Sequence, residues 1–368
     1  MTDAPVYALV TGGGTGGHVT PALAIADALV ASGHSRSSIR FVGAARGLEA
    51  TAVPEAGYVV ELLTLDGIQR SFAPRAMLRS ARAIVVFVVA LGRCISMLRR
   101  LRPAVVVGVG GYASAPCVLA ARVVRIPTVV HEQNAVPGIV NRIAVPLGAR
   151  PAVSFPMARW PEALVTGNPI RSDVGRVVRA PVQPPVLAIV GGSQGAGRLN
   201  DVGLELYDRW RDRSDVAIRH VTGPKHADAC RARLAGVHRP TDRLAYEIVG
   251  FEHEMAELYA SSTMMLCRSG ATTIAEVNAV GIAAVYVPWS GAAEGQQVAN
   301  AQAMVELGAA EMLTDATCDI AHVEPVLAGL LAQPDRVAAM ARAARDAGRP
   351  DAAARVGAFI EEVAGAPA

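Results

Sequence analysis

The sequence predicts an α/β protein built from two parallel-sheet domains that face each other across a cleft. Three features carry this prediction. Short apolar strands alternate with helical stretches, each half opens with the same strand, glycine loop and helix, and the 368 residues suffice for two domains of roughly 100–200 residues. Hydrophobic residues make up 52% of the chain and charged ones 18%, too apolar a balance for a disordered polypeptide. With 35 Lys and Arg against 32 Asp and Glu, the net charge is +3, which gives no case for a nucleic-acid partner. Cys94, Cys117, Cys230, Cys267 and Cys318 are odd in number and lack C-x-x-C or metal spacing. They fit reduced thiols and not a disulfide framework. The start, Met1-Thr2-Asp3-Ala4-Pro5, has no basic n-region, so no signal peptide is expected. No uncharged apolar run reaches the ~18 residues that span a bilayer; the longest, residues 83–91, has nine.

In order, residues 6–11 read as a strand, 12–17 as a glycine loop and 21–31 as a helix. Further buried strands are expected at 39–42, 105–109 and 128–130, with helices between them. The stretch Arg179-Ala-Pro-Val-Gln-Pro-Pro185 reads as linker-like punctuation. The pattern then restarts with a strand at Val186–Val190, the loop Gly191-Gly192-Ser193-Gln194-Gly195 and a helix. Strands at 218–221, Met264–Cys267 and 284–287 follow. Both glycine loops fall at carboxyl ends of strands, where ligands of such sheets bind.

The loops do not read as dinucleotide or Walker sites. Gly12-x-Gly14-x-x-Gly17 matches the dinucleotide fingerprint formally, but the second strand ends Val42-Gly43 where a ribose-binding acid is wanted. His18-Val19 follows Gly17 where a P-loop has Lys-Ser/Thr, and no D-x-D clamp occurs, so no metal is expected. What remains is a cradle of backbone amides at a helix start, suited to an anion. Cys267-Arg268-Ser269-Gly270-Ala271-Thr272-Thr273 offers a third such start, with Ser269, Thr272 and Thr273 as candidate caps. Glu276, one turn on, could hold two sugar hydroxyls or act in a capping box.

His131-Glu132-Gln133-Asn134 ends a strand; it serves either substrate or loop hydrogen bonding. Gly167-Asn168-Pro169-Ile170-Arg171 is a turn ending in a cation. Gln296, Gln297 and Asn300 supply amides for hydroxyl recognition. His18 stands at a helix start, which disfavours the imidazolium, so a neutral imidazole could serve as a general base or simply position the loop.

Taken together, Gly12-Gly-Gly-Thr-Gly-Gly-His18, Gly110-Gly-Tyr112, His131-Glu-Gln-Asn134, Gly167-Asn-Pro-Ile-Arg171, Gly191-Gly-Ser-Gln-Gly-Ala196, Cys267-Arg-Ser-Gly-Ala271 and Gln296-Gln297-x-x-Asn300 resemble, in order and spacing, the MurG transferases of peptidoglycan synthesis. The resemblance covers about residues 6–310. It implies the GT-B fold, with residues 1–172 as an acceptor and membrane domain and 173–345 as a UDP-GlcNAc domain. Residues 346–368, which carry no legible motif, would return to the first domain. It implies inverting transfer of N-acetylglucosamine from UDP-GlcNAc to the MurNAc 4-hydroxyl of lipid I, giving lipid II, with no cofactor.

By the same resemblance, Arg171 and the backbone near Glu252 hold the uracil side. Ser193, Ala271, Thr272 and Thr273 hold the diphosphate, and Glu276 holds the ribose. Asn134, Gln296 and Gln297 meet the sugar, and Thr15, Gly16 and Gly17 close over it. The first glycine loop seats the acceptor diphosphate. His18 is the expected base, with Glu132 as its rival. A lipid acceptor requires an anionic membrane surface and a peripheral position on the cytoplasmic face of the cell membrane, with cell-wall synthesis proteins as further partners. Residues 83–91 with Arg93, Arg99, Arg100 and Arg102 have the make-up of an interfacial helix. A UDP-GlcNAc 2-epimerase on the same fold, or a non-catalytic nucleotide-sugar-binding protein, remains an alternative.

Overall fold

The computed structural model describes residues 5–14, 16–64 and 74–366. The chain divides into two compact units, Met1–Arg171 with Asp351–Ala368, and Ser172–Pro350.

In the first unit the elements run β1 (Ala8–Thr11), α1 (Gly16–Ala31), β2 (Ile39–Ala44), α2 (Glu49–Glu55), β3 (Val59–Leu63), α3 (Pro74–Leu101), β4 (Val105–Gly108), α4 (Ala115–Val123), β5 (Thr128–Glu132), α5 (Ile139–Ala144), β6 (Arg150–Val153) and β7 (Leu164–Val165). Every ladder is parallel, in the order β3-β2-β1-β4-β5-β6-β7. β1 and β4 lie in the middle, covered on both faces, which is why they are unbroken apolar runs. Side chains alternate across the sheet: Ala8, Val10, Val105 and Val107 pack with Ala22, Ile25 and Leu29 of α1. Leu9 and Val106 pack on the other face with Cys94 and Leu98 of α3 and Cys117, Ala120 and Ala121 of α4.

The second unit repeats the plan. Its elements are β8 (Val186–Val190), α6 (Gly197–Trp210), β9 (Ala217–Val221), α7 (Ala227–Val237), β10 (Ala245–Val249), α8 (Met255–Ser261), β11 (Met264–Cys267), α9 (Ala271–Val280), β12 (Ala283–Tyr286), α10 (Gln296–Glu306), β13 (Ala310–Met312), α11 (Ile320–Leu331) and α12 (Pro334–Ala347). Its six strands are parallel in the order β10-β9-β8-β11-β12-β13. One core joins Leu187, Ile189, Leu266 and Val285 to Leu199, Leu206 and Trp210 of α6 and Val323 and Leu327 of α11. After Pro350 the chain returns to the first unit as α13 (Ala352–Gly365), whose Val356, Phe359, Ile360 and Val363 join the α1 side of that core. Each such buried side chain stabilises the fold by roughly 1.5–3 kcal/mol.

Two readings of the sequence need revision. The proline-rich stretch from Arg179 is not a free linker: it lies within the second unit, where the Arg179 guanidinium donates to the carbonyls of Gly281 and, at 2.5 Å, Ser262. These carbonyls end α9 and α8, where a cation meets the negative dipole end. Helix α1 begins at Gly16, so Gly16 and Gly17 form its first turn and not part of the loop.

Candidate active site

In the second unit the strand order reverses its direction of growth between β8 and β11, which makes this the switch point where open α/β sheets take ligands. Two loops leave the paired strand ends Val190 and Cys267 there. The first carries Ser193, exposed, on the way into α6. Its glycines permit a tight turn: a Cβ on Gly191 or Gly195 would strike the Ala196 amide or the Thr222 carbonyl, whereas Gly192, at φ +87°, has open space around it. The second loop leads into α9 with Gly270 at the N-cap.

The N-cap residues of α6 and α9, Ala196 and Gly270, supply no side-chain cap, and neither helix has an acid of its own in its first turn. Helix starts of this kind expose amide donors and the positive end of the dipole. Ser269, expected as a cap, instead donates to the Gln297 carbonyl at 2.8 Å, and Asn300 donates to the Ser269 carbonyl. Ala271, Thr272 and Thr273 form the first turn.

Around this start the polar side chains are held by hydrogen bonds, from buried Glu276 to exposed Ser290. Arg268 bonds the Val287 carbonyl at 2.9 Å and Asp315 at 2.7 Å, and Ser290 holds the other Asp315 oxygen. Burial works against ionisation of Asp315, but these bonds outweigh it and hold its carboxyl below the usual range. Glu276 is buried and accepts the Tyr259 hydroxyl at 2.8 Å. Glu252 is buried; its side chain pairs with Arg219 of β9 at 2.5 Å and accepts the Glu254 amide at 3.0 Å. In the first turn of α10, the Gln297 side-chain oxygen accepts the Trp289 amide at 2.9 Å; Gln296 precedes it.

The first unit has its own switch point, between β1 and β4. His18 stands in the first turn of α1 against the turn after β4: a Cβ on Gly110 would lie 3.2 Å from its Cδ2, and one on Gly111 would lie 3.5 Å from its Nδ1. Its pKa is lowered to about 4, chiefly by burial, with the Glu49 charge acting in the opposite sense. The imidazole is therefore neutral at pH 7 as expected, but burial and not the helix dipole is the main cause.

Glu132 is 3% exposed and accepts from the Asn134 amide, the Asn134 Nδ2, the Gly138 amide and the Asn141 Nδ2. A carboxylate committed to four donors fixes its loop; burial nevertheless raises its pKa, against the pull of those donors. His131 and Gln133 are buried beneath it, His131 against the Gly167 carbonyl and Gln133 donating to the Val109 carbonyl, so loop hydrogen bonding is what they do. Arg171 is the last residue of the first unit before the crossover. Thr15 lies outside the described residues.

Two groups escaped the sequence reading. The Tyr112 ring lies 3.4 Å from where a Cβ on Gly14 would stand. Glu49 occupies the interior of the first glycine loop: it is 2% exposed and accepts the Gly14 amide at 2.8 Å and the Ala44 amide at 2.7 Å. The Gly14 amide, expected to face an acceptor diphosphate, is thus already engaged. Among the described residues no group of three or more His, Cys, Asp or Glu is placed to hold a metal.

Fold and site together define a glycosyltransferase of the GT-B type. The glycosyltransferase family 28 N-terminal domain model matches residues 8–150 and its C-terminal domain model residues 186–356. The chain belongs to the MurG family. It is 38% identical to the UDP-N-acetylglucosamine--N-acetylmuramyl-(pentapeptide) pyrophosphoryl-undecaprenol N-acetylglucosamine transferase of Syntrophotalea carbinolica, over 95% of this chain and 96% of that one. To the protein of the same name from Acidithiobacillus ferrooxidans it is 39% identical, over 97% and 98%. The crystal structure of Acinetobacter baumannii MurG superposes with a TM-score of 0.78 at 27% identity, over 97% of this chain and 100% of that one.

Proposed function

We infer that this chain transfers N-acetylglucosamine from UDP-GlcNAc to the MurNAc 4-hydroxyl of lipid I, releasing UDP and forming lipid II for peptidoglycan synthesis. The observation that carries the donor half is the pair of helix starts, α6 and α9, without an N-cap side chain or a first-turn acid of their own, at the switch point of the second unit. A diphosphate laid on these amides has its charge met by oriented dipoles, and the charge that grows as UDP departs is met by the same groups. Ser193 and residues 271–273 hold the diphosphate in this reading. Glu276 takes the ribose hydroxyls, the backbone near Glu252 and Arg171 take the uracil, and Asn134, Gln296 and Gln297 take the sugar.

In a single inverting displacement the acceptor O4 forms its bond to the anomeric carbon as the bond to the UDP oxygen breaks. The O4 proton passes to His18. Burial makes the imidazole a weak base, its pKa lowered to about 4. An acceptor diphosphate beside the α1 start would raise its proton affinity, as any nearby anion does. Glu132 has its pKa raised by burial, but the four donors on its oxygens leave less room for a substrate proton, so it stays the rival.

The lipid acceptor brings the first unit to a membrane. On α3, Ala83, Ala90, Cys94 and Leu98 face the core, while Ile84, Val85, Val88 and Val89 are all more than half exposed. This outward apolar stripe continues into Arg93 and Arg99, which make no ion pair among the described residues; Arg100 is shared with Glu61. Apolar side chains followed by cations fit an anionic bilayer surface on the cytoplasmic side. Leu91 packs partly into the core and is not part of the stripe. Among the described residues no helix is long and apolar enough to cross a membrane.

The test is labelled UDP-GlcNAc with and without lipid I. Label in the lipid product, with stoichiometric UDP, is expected only when lipid I is present. Conversion of UDP-GlcNAc without acceptor would mean an epimerase, and binding without turnover a non-catalytic protein. His18→Ala is expected to bind donor normally and turn over on the order of 100-fold or more slowly; near-normal turnover rejects His18 as base. A Val88→Glu, Arg99→Glu double variant is expected to lose binding to anionic vesicles, and unchanged binding would mean the surface lies elsewhere.

A further inference from the structure

The first glycine loop is filled from inside the protein. Glu49 opens α2, yet its side chain turns into the end of the sheet and spans two successive βα loops, accepting the Gly14 amide after β1 and the Ala44 amide that closes β2. The space it occupies exists because three positions lack side chains. A Cβ on Gly13, Gly43 or Gly47 would collide with the Glu49 side chain. Gly13, at φ +153°, and Gly14, at +93°, hold backbone conformations that other residues rarely adopt. One carboxylate, 2% exposed, three glycines from two stretches of chain and two amides thus form a closed unit, four residues before His18 in the chain at its Gly14 end. The other side of the same loop lies against the turn after β4, where a Cβ on Gly111 would approach the Gly13 carbonyl to 2.5 Å.

We propose that Glu49 is a positioning residue for the acceptor half of the reaction: its carboxylate clamps the loop between β1 and α1, and through that loop sets the place of the His18 imidazole. The inference rests on the assignment of His18 made above. A bidentate, charge-assisted clamp is stronger than neutral bonds, and it fixes the two loops relative to each other more tightly than either loop could fix itself. The same negative charge lies close enough to His18 to favour its protonated form against burial. A glycine loop that was read as a nest for a substrate anion is thereby, at Gly14, a nest for the protein's own anion. An incoming acceptor diphosphate must use amides other than this one.

The test uses Glu49→Gln, which keeps size but turns one acceptor into a donor facing an amide, and Glu49→Asp, which keeps charge but is one methylene too short to span both amides. Glu55→Gln, exposed at the far end of the same helix, is the control. Each folded variant of Glu49 is expected to lower kcat with lipid I by about 30- to 100-fold, because a displacement of 1 Å costs that much. The KM for UDP-GlcNAc should stay within twofold of wild type, as should kcat for the control. In a His18→Ala background the further effect of Glu49→Gln should shrink to within about threefold, since residues acting as a unit are not additive. A kcat within twofold of wild type for either folded Glu49 variant overturns the inference. So does a full additive loss on top of His18→Ala, or a donor KM that rises in step with the fall in kcat. Near-normal turnover of His18→Ala alone removes the base assignment; the kcat of the Glu49 single variants then still decides whether the clamp positions this loop.

Discussion

The two units solve the same geometric problem and fill the result differently. Both place a glycine loop after the first strand of a parallel sheet, at the point where the strand order reverses. In the first unit the glycines make room for a buried carboxylate, and Gly13, Gly43 and Gly47 all abut Glu49. In the second, Gly191 and Gly195 make room for the chain itself, Gly192 faces open space, and no carboxylate is among the described atoms that a Cβ on any of the three would meet. A glycine-rich βα turn therefore signals close approach without saying what approaches. In the proposed reading, the loop without such an internal carboxylate among the described residues is the one that takes an external anion.

The sharpest way to break this contrast is to give the second unit what the first already has. Ala271→Asp places a carboxylate in the first turn of α9. Repulsion of the diphosphate by roughly 2–3 kcal/mol should weaken UDP-GlcNAc binding about 30- to 150-fold by titration calorimetry. The melting temperature should not fall, because an acid suits a helix start. Binding within threefold of wild type would mean the diphosphate sits elsewhere.

Next in size, the contrast predicts unequal costs for one methyl group. Gly192→Ala bears only the strain of its left-handed φ, about 1–2 kcal/mol. Gly13→Ala must also displace the buried Glu49 carboxylate from its donors, adding roughly 1–3 kcal/mol. Thermal unfolding should rank Gly13→Ala as the more damaging, and the reverse order would refute the filled-loop description.

A smaller difference should appear in acid. Burial lowers the pKa of His18, His131 and His220 to about 4. Between the ordinary imidazole value and about 4 the unfolded chain binds protons that the folded one refuses, so stability falls as pH falls through that window. Each such histidine contributes a slope of up to ~1.4 kcal/mol per pH unit. Two lie in the first unit and one in the second, so the first should lose stability more steeply in urea titrations between pH 6.5 and 4.5. Equal slopes would contradict this. Smallest of all, excess EDTA should leave UDP affinity within twofold, since amides and dipoles hold the diphosphate in this account.

The sequence revealed the buried parts of the fold and missed its margins. β1, β4, β8 and β11 are covered on both faces and stand out as apolar runs. β3 and β10 are edge strands, half-exposed and interrupted by Glu61 and Glu247, and they gave no comparable signal. The short β6, β7 and β13 were missed for a similar reason: they are partly exposed and form no unbroken apolar run, unlike the equally short but fully buried β1, β4 and β11. In the site, the anion cradles of the second unit were legible because each is one contiguous stretch. Glu49 was not, because its meaning depends on Gly13 converging with Gly43 and Gly47 from a separate stretch. The only hint was a glycine-bounded turn, Gly43-Ala-Ala-Arg-Gly47, with an acid two residues on. The polar run His131 to Asn134 was visible, but not that three of its four members face inward.

The central claim is that the donor diphosphate rests on main-chain amides at the starts of α6 and α9. A crystal structure with UDP bound tests it most directly. The account predicts both phosphates within hydrogen-bond distance of amides in residues 191–197 and 271–273, without an intervening cation. Phosphates bound away from both helix starts, or bridged to the protein through a divalent ion, would contradict it.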